Sequence, residues 1–409
     1  MLIDVPEWRR DILVEHLEEL EALLNRRARA TRSPAADALA LRRIDARLDA
    51  HADALALAGP HGWPLLIPAL AQDPTPTLVE AATLALASAG AAEAETRLLA
   101  ALAAAPPPGR AAMCRALQLR ASPDLRRALP IDPGAPPALA GVGCLVLAAH
   151  GDPLPAGRHW PLVADGDPAV RALAWQVEAR LGAGRPGDQQ RLGASDYQAA
   201  LADADPEVRR GALEAAARTG QPWLLDHLRA AARAPSAAAL PEQLLFAALS
   251  PPADSAAALA LGAAPALGWE RFRVLALLGR AAAVEELLRA MRQGPAVEAA
   301  LAGAAFFRIT GVDVERAERL PLLPPGADPD ELADEIKACD VDKAELAWRQ
   351  LAPRLSAPGR WAYGVEVEGV AGDALPLAAD LEIRWATSLR RAHATRTPVT
   401  LDHERFPFS

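Results

Sequence analysis

Apolar residues recur along most of this chain at helical spacing, and the spacing itself repeats. Three stretches align without gaps: residues 76–90 (PTLVEAATLALASAG), 168–182 (PAVRALAWQVEARLG) and 206–220 (PEVRRGALEAAARTG). Each opens on Pro and closes on Gly. Pro suits the first helical turn, whose N–H needs no partner. Gly suits the left-handed residue that ends a helix. The frame extends more loosely to Pro108, Pro137, Pro235, Pro265 and Pro295, so the eight starts lie 32, 29, 31, 38, 29, 30 and 30 residues apart. The sixth copy is degenerate, with Pro241 as an alternative start.

Nine residues after each Pro stand Ala85, Leu117, Val146, Val177, Ala215, Leu244, Val274 and Ala304, all apolar. Two residues after it, six of the eight are Leu or Val, with Arg110 and Ala237 the exceptions. Offsets of two, five, nine and thirteen share one helical face. A shorter apolar helix is expected before each, as in residues 63–70, 95–104, 223–231 and 284–291. The unit is then a helical hairpin of about 30 residues. One such hairpin cannot bury its apolar face alone, but stacked neighbours can.

The ends depart from this frame. Residues 7–30 read as one longer helix with a stripe of Leu13, Leu17, Leu20 and Leu24. Residues 34–57 read as a second, with Leu41, Ile44, Leu48 and Leu55 on one face. Together they predict a hairpin cap over residues 1–58, ahead of a repeat array over 59–311. Residues 312–409 break the pattern. Pro321, Pro324, Pro325, Gly326 and Pro329 suggest a linker, a charged helix is expected over 330–355, and 361–368 (WAYGVEVE) alternates like a strand. A further helix is expected near 377–394. Two Phe in the tail, 402–409, suggest docking on the body.

Composition sharpens this picture. Of 409 residues, 51% are hydrophobic, 23% charged and only 4% aromatic, which argues against disorder. Ala dominates, and small side chains let helices pack closely. Lys and Arg total 43, yet Lys stands only at 337 and 343, a bias that suits a GC-rich bacterial genome. No apolar stretch is long enough for a membrane span, and residues 1–10 do not read as a secretory signal. The net charge of −9 speaks against a nucleic-acid partner, which calls for a basic stripe. The one basic run, Arg26, Arg27, Arg29 and Arg32, follows Glu15, Glu18, Glu19 and Glu21 and reads as a solvated helix end. Cys114, Cys144 and Cys339 are odd in number and not paired as C-x-x-C, against a disulfide framework or zinc knuckle. A cytoplasmic protein is expected.

Motifs that carry chemistry are weak. Gly182, Gly184 and Gly187 match the dinucleotide fingerprint formally, but they follow a helix and include Pro186, so a helix-ending loop is the expected reading. His51 lies near Asp45, Asp49 and Asp53 on the second helix, which reads as a wet face rather than a metal site. Asp165, Asp167, Asp203 and Asp205 stand just before Pro168 and Pro206, a place for helix capping rather than general acid–base work. Asp328, Asp330, Glu331, Asp334, Glu335, Asp340 and Asp342 form an acidic cluster, either a solvated face or a docking patch for a basic partner. Trp63, Trp160, Trp223 and Trp269 recur near unit starts. They fit core packing, or a recognition row on an exposed face. No catalytic, cofactor-binding or metal-binding residue is expected.

Asp167-Pro168-x-Val170-Arg171 and Asp205-Pro206-x-Val208-Arg209 resemble the Asp-Pro-x-Val-Arg signature of HEAT-type repeats. The resemblance covers about residues 60–311 and implies a mainly all-α fold: a right-handed α-solenoid of about eight hairpins, with a small mixed α/β C-terminal segment. In that family the Asp caps the second helix and the Arg reaches acceptors in the neighbouring unit. Residues 42–63 (RRIDARLDAHADALALAGPHGW) also resemble the start of a proteobacterial family of HEAT-like arrays, encoded near type VI secretion spike genes. The C-terminal part departs from that family's pattern, and no biochemical activity comes with it.

Three functions follow as expectations. The first is a non-enzymatic scaffold or adaptor that binds another protein, by resemblance a secretion spike component or effector. The second is an immunity protein whose acidic surface meets a basic toxin. The third is an enzyme on a HEAT-like array, such as a DNA glycosylase or a lyase, against which the missing basic groove counts.

Overall fold

The computed structural model describes residues 7–31, 33, 36–71, 75–155, 157–181, 192–322, 334–355, 359–369, 374–376 and 378–395. The chain is mainly α-helical, with a small strand-containing segment near its C-terminus. Packing divides it into two compact units: the described residues up to Arg218, and those from Thr219 on. Among the described residues, no helix is long and apolar enough to cross a membrane.

Unit 1 opens with α1 (Glu7–Ala30) and α2 (Ala38–Leu57), the expected hairpin. Leu17, Leu20, Leu24, Leu41, Ile44, Leu48 and Leu55 are all buried. Then come α3 (Trp63–Leu66), α4 (Pro76–Ala89), α5 (Ala92–Ala104), α6 (Pro107–Leu119), α7 (Pro123–Arg127), α8 (Pro137–Ala149), α9 (Pro168–Leu181), α10 (Ala194–Leu201) and α11 (Pro206–Arg218). The second helices of successive pairs stack in chain order: α4 on α6, α6 on α8, α8 on α9, and α9 on α11. They form the core, and in α8 every residue from Leu139 to Ala148 is buried. The first members are reduced in places to single turns, as at residues 63–70, 123–127 and 160–164. A turn suffices there because the burial falls on the second helices.

Unit 2 continues the alternation through α12 (Leu224–Ala232), α13 (Leu240–Leu249), α14 (Ser255–Gly262), α15 (Glu270–Leu278), α16 (Ala281–Gln293) and α17 (Ala296–Thr310). Here α13 packs on α15 and α15 on α17, while α12, α14 and α16 follow one another alongside. The C-terminal segment adds β1 (Glu315–Leu322), β2 (Asp334–Cys339), α18 (Val341–Leu355), β3 (Trp361–Ala362), β4 (Val365–Glu366) and α19 (Leu381–Thr395). β1 and β2 pair antiparallel and lie against α17, α18 packs on α16 and α17, and α19 packs on α13.

The predicted nine-residue offset marks the core. Ala85, Leu117, Val146, Val177, Ala215, Leu244 and Val274 are at most 1% exposed, and only Ala304 is half-buried. Among the described residues, left-handed glycines end helices at Gly90, Gly279 and Gly311. Two predicted starts differ. The sixth second-helix begins around Pro241, and Pro265 opens only a 3₁₀ turn, so α15 starts at Glu270. The C-terminal expectations are corrected further. Residues 334–339 are a strand, so the helix expected over 330–355 begins only at Val341, where Asp340 caps it through the Lys343 N–H at 3.1 Å. The single strand expected over 361–368 is a hairpin, turned at Tyr363 and Gly364. Both turn residues have positive φ, 51° and 76°, as a tight two-residue hairpin demands.

Candidate functional site

The four acids before Pro168 and Pro206 build two matching helix starts. The Asp167 carboxylate accepts from the Ala169 N–H at 2.9 Å, and Asp205 accepts from Glu207 and Val208 at 2.8 and 3.1 Å. One step earlier, Asp165 accepts from the Asp167 N–H and Asp203 from the Asp205 N–H, at 2.8 and 2.9 Å. These bonds satisfy donors that a helix start leaves open. Val170 and Val208 lie in the core at 2% and 0% exposure.

Arg171 and Arg209 bind the turns before their own helices. Arg171 donates to the Asp165 carbonyl at 2.8 Å, and Arg209 to the Asp203 carbonyl at 2.7 Å. Arg171 also grips the Asp203 carboxylate two-pronged, Nε at 2.9 Å and Nη2 at 3.0 Å. That pair joins one hairpin to the next. Similar Arg-to-acid rungs, one unit apart in sequence, recur at Arg126–Asp152 in unit 1 and at Arg229–Asp254 and Arg271–Glu298 in unit 2. The acids at these turns cap helix starts and hold neighbouring hairpins together.

The Arg171 hydrogen bond, aided by the Asp205 N–H, holds the Asp203 carboxyl below its usual range. A depressed folded-state value stabilises the fold above the ordinary carboxylate pKa of about 4, and that share is lost as pH falls through the lowered value. Asp203→Asn should therefore flatten the fall in melting temperature between about pH 5 and pH 2.5. A thermal melt series of both proteins checks this; parallel curves would remove the rung as a source of acid sensitivity.

All four tryptophans stand at helix starts. Trp63 is the first residue of α3, Trp160 opens the turn at residues 160–164, and Trp223 and Trp269 are the N-caps of α12 and α15. All four are half-buried, neither sealed in the core nor standing free. The Arg97 guanidinium lies 5.2 Å from the Trp63 ring centre, and His159 packs on Trp160 at 5.2 Å.

The helix face around His51 does not converge. His51 meets His16 of α1, Nδ1 to Nδ1, at 2.9 Å, while Asp45 pairs with Arg27 and Asp53 with Arg120. Burial, with His16 beside it, lowers the His51 pKa and favours the neutral ring. Among the described residues, no three metal-ligating side chains gather. Cys114 and Cys144 are buried in the helix stack, and burial pushes the Cys144 thiol up to about 11. The glycine fingerprint at 182–187, the linker residues 324–329, Asp328, Asp330, Glu331 and the Phe-bearing tail lie outside the described residues.

The most developed polar arrangement was not anticipated, and it lies in unit 2. Arg308 of α17 holds Asp380 with two prongs, 2.8 and 2.9 Å, and Glu382 at 2.6 Å. Glu382 in turn accepts from Arg273 of α15 at 2.7 Å. The Tyr363 hydroxyl donates to Asp380 at 2.5 Å, and Asp380 caps α19 through the Ile383 N–H at 2.8 Å. Burial alone lowers the Arg308 pKa, but Asp380 and Glu382 outweigh it and hold the side chain firmly charged. Burial and the Asp380 charge raise the Tyr363 phenol. Every named charge has an opposite partner within the group. It clamps the C-terminal segment onto α15 and α17 and leaves no poised acid or base. A lone Arg in the apolar run AAFFRIT was the available signal. No protein-family model and no curated protein matches the chain.

Proposed function

We propose that the chain is a non-enzymatic protein-binding scaffold built of HEAT-like helical hairpins, working in the bacterial cytoplasm. One observation carries this reading. The stacked second helices take the burial, and half-buried tryptophans stand at the starts of helices in both units. Trp supplies large contact area and dominates hot spots in protein interfaces. Within each unit, caps and rungs tie neighbouring hairpins together, which lowers the entropy cost of binding there. The resemblance of residues 42–63 points to a type VI secretion spike component, effector or adaptor as that partner. The charge of −9 favours a partner with a basic face, and a basic toxin neutralised by this chain is the second reading.

Affinity capture from native bacterial lysate, with quantitative mass spectrometry, tests the proposal. The full chain should enrich a spike, effector or adaptor protein. The variants Trp63→Ala/Trp160→Ala and Trp223→Ala/Trp269→Ala should keep their helical circular dichroism, and at least one should lose about tenfold or more of that enrichment, as for a hot spot. Failure of the wild type to enrich any such protein, or equal capture by both variants, would reject the reading. Recovery of a toxin in its place would favour the second.

A further inference from the structure

The hairpin of α1 and α2 closes on a polar contact beside its leucine stripe. Leu17, Leu20, Leu48 and Leu55 carry the apolar seam. Next to it the half-buried rings of His16 and His51 meet edge to face, with centres 5.1 Å apart and planes at 65°. Their Nδ1 atoms lie 2.9 Å apart, a hydrogen-bond distance. A neutral imidazole carries one N–H, so one Nδ1 donates and the other accepts. Ion pairs cross the same hairpin, Arg27 to Asp45 at 2.7 Å and Arg47 to Glu19 at 3.2 Å. Those keep their charges through neutral and mildly acidic pH, whereas histidine gains its proton there.

The pair can take up two protons, and they are not equivalent. The first enters the donor ring at Nε2 and leaves the Nδ1–H···Nδ1 bond in place. The second must enter the accepting Nδ1. It breaks the bond and sets two cations against each other at contact distance. The surroundings do not offset that. Burial, and after it the neighbouring His16, disfavours the charged His51 ring. Glu19 favours it and Arg47 opposes it, and these two are paired with each other. Of the other acids of α2, Asp45 pairs with Arg27, and Asp49 and Asp53 with Arg120. Glu15 and Glu18 of α1 are exposed. α4 packs on both helices, and its charged side chain, Glu80, pairs with Arg115 of α6.

We propose that the His16–His51 pair is a pH-sensitive clasp, which holds α1 to α2 above about pH 6.5 and gives up that hold as the pH falls below it. The folded pair resists its second proton, while each histidine of the unfolded chain takes one up near the ordinary midpoint. The unfolded state therefore binds more protons in that window, and the hairpin loses stability as pH falls through it. The clasp lies within one hairpin and goes beyond the scaffold reading, which needs no titrating group.

Nuclear magnetic resonance of the full chain with nitrogen-15 in its histidines, titrated from about pH 8 to about pH 5, tests it. The pair should titrate in two separate steps, the second below the ordinary histidine midpoint. In His16→Gln the His51 ring should titrate higher than in the wild type, because its neighbour no longer resists. Hydrogen exchange read by mass spectrometry, corrected for its intrinsic pH dependence, gives the consequence. Between about pH 7.5 and about pH 5.5, peptides of α1 and α2 should lose protection several-fold more than those of α8, and His51→Gln should remove most of that difference. His61→Gln, at an exposed position after α2, should leave it as in the wild type. Should a Gln variant of the pair fail to fold by circular dichroism, the wild-type titration decides alone. Two unshifted midpoints near about 6.5 in the wild type would overturn the proposal. So would protection in α1 and α2 that falls no faster than in α8, or loss of the difference in His61→Gln.

Discussion

Arg308→Met should destabilise the protein by about 3–5 kcal/mol, the range for removing one partner of a buried ion pair. Asp380 and Glu382 are each 2% exposed, and both bond to Arg308. Without it, Asp380 keeps only the Tyr363 hydroxyl and the Ile383 N–H, and Glu382 keeps Arg273. The penalty thus falls on the stranded carboxylates more than on lost attraction. The triple variant Arg308→Met/Asp380→Asn/Glu382→Gln separates the two. It removes the stranded charge along with the pair, and it should recover a large part of the loss. Urea unfolding followed by far-ultraviolet circular dichroism reads both. A loss below about 1 kcal/mol for the single variant would mean that water reaches the site and the clamp is not a buried one.

The same residues show where sequence reasoning stops. The repeat was legible because each second helix repeats one physical demand, a small or branched apolar side chain facing its neighbour at offset nine. The helix caps were legible because Asp, Pro and Gly each act within a few residues of where they stand. Of the Arg308 clamp only the charged residue in an apolar run was legible, since its partners lie 72 and 74 residues away. Pro265 misled because Gly268, at φ 51°, ends its 3₁₀ turn before a helix can grow. β1 and β2 were missed for another reason. β1 is mostly exposed and carries charges where an alternating strand would show apolar residues. Cross-strand ion pairs, Lys337 with Glu315 and Arg319 with Glu335, hold the ladder instead. The four tryptophans were placed at unit starts by sequence, but their half-buried state needed the packing around them.

Trp175→Ala should cost about 3–5 kcal/mol, the range for truncating a large buried aromatic side chain. Trp175 is 1% exposed in α9, the helix that packs on both α8 and α11. Its ring packs at a tilt on Tyr197 of α10, 4.8 Å between centres. Gly211 of α11 fits the same contact closely, since a Cβ there would come within 2.9 Å of the Trp175 Cβ. The approach of α9 and α11 is therefore set by the Trp175 Cβ against the bare Cα of Gly211. Truncation opens a void that α11 can fill only by moving, and movement strains the Arg171–Asp203 rung beside it. In Gly211→Leu the opposite fault, overpacking, is expected at a cost of about 1–3 kcal/mol. Combining the two tests the geometry directly. Trp175→Ala keeps the Cβ that a side chain at 211 would meet, so the crowding persists and Gly211→Leu should cost as much in the Trp175→Ala background as alone. Denaturant midpoints for the four proteins measure this coupling. A double variant clearly more stable than the sum of its single losses would show that the leucine enters the void left by the indole and that the Cβ contact does not limit the α9–α11 approach.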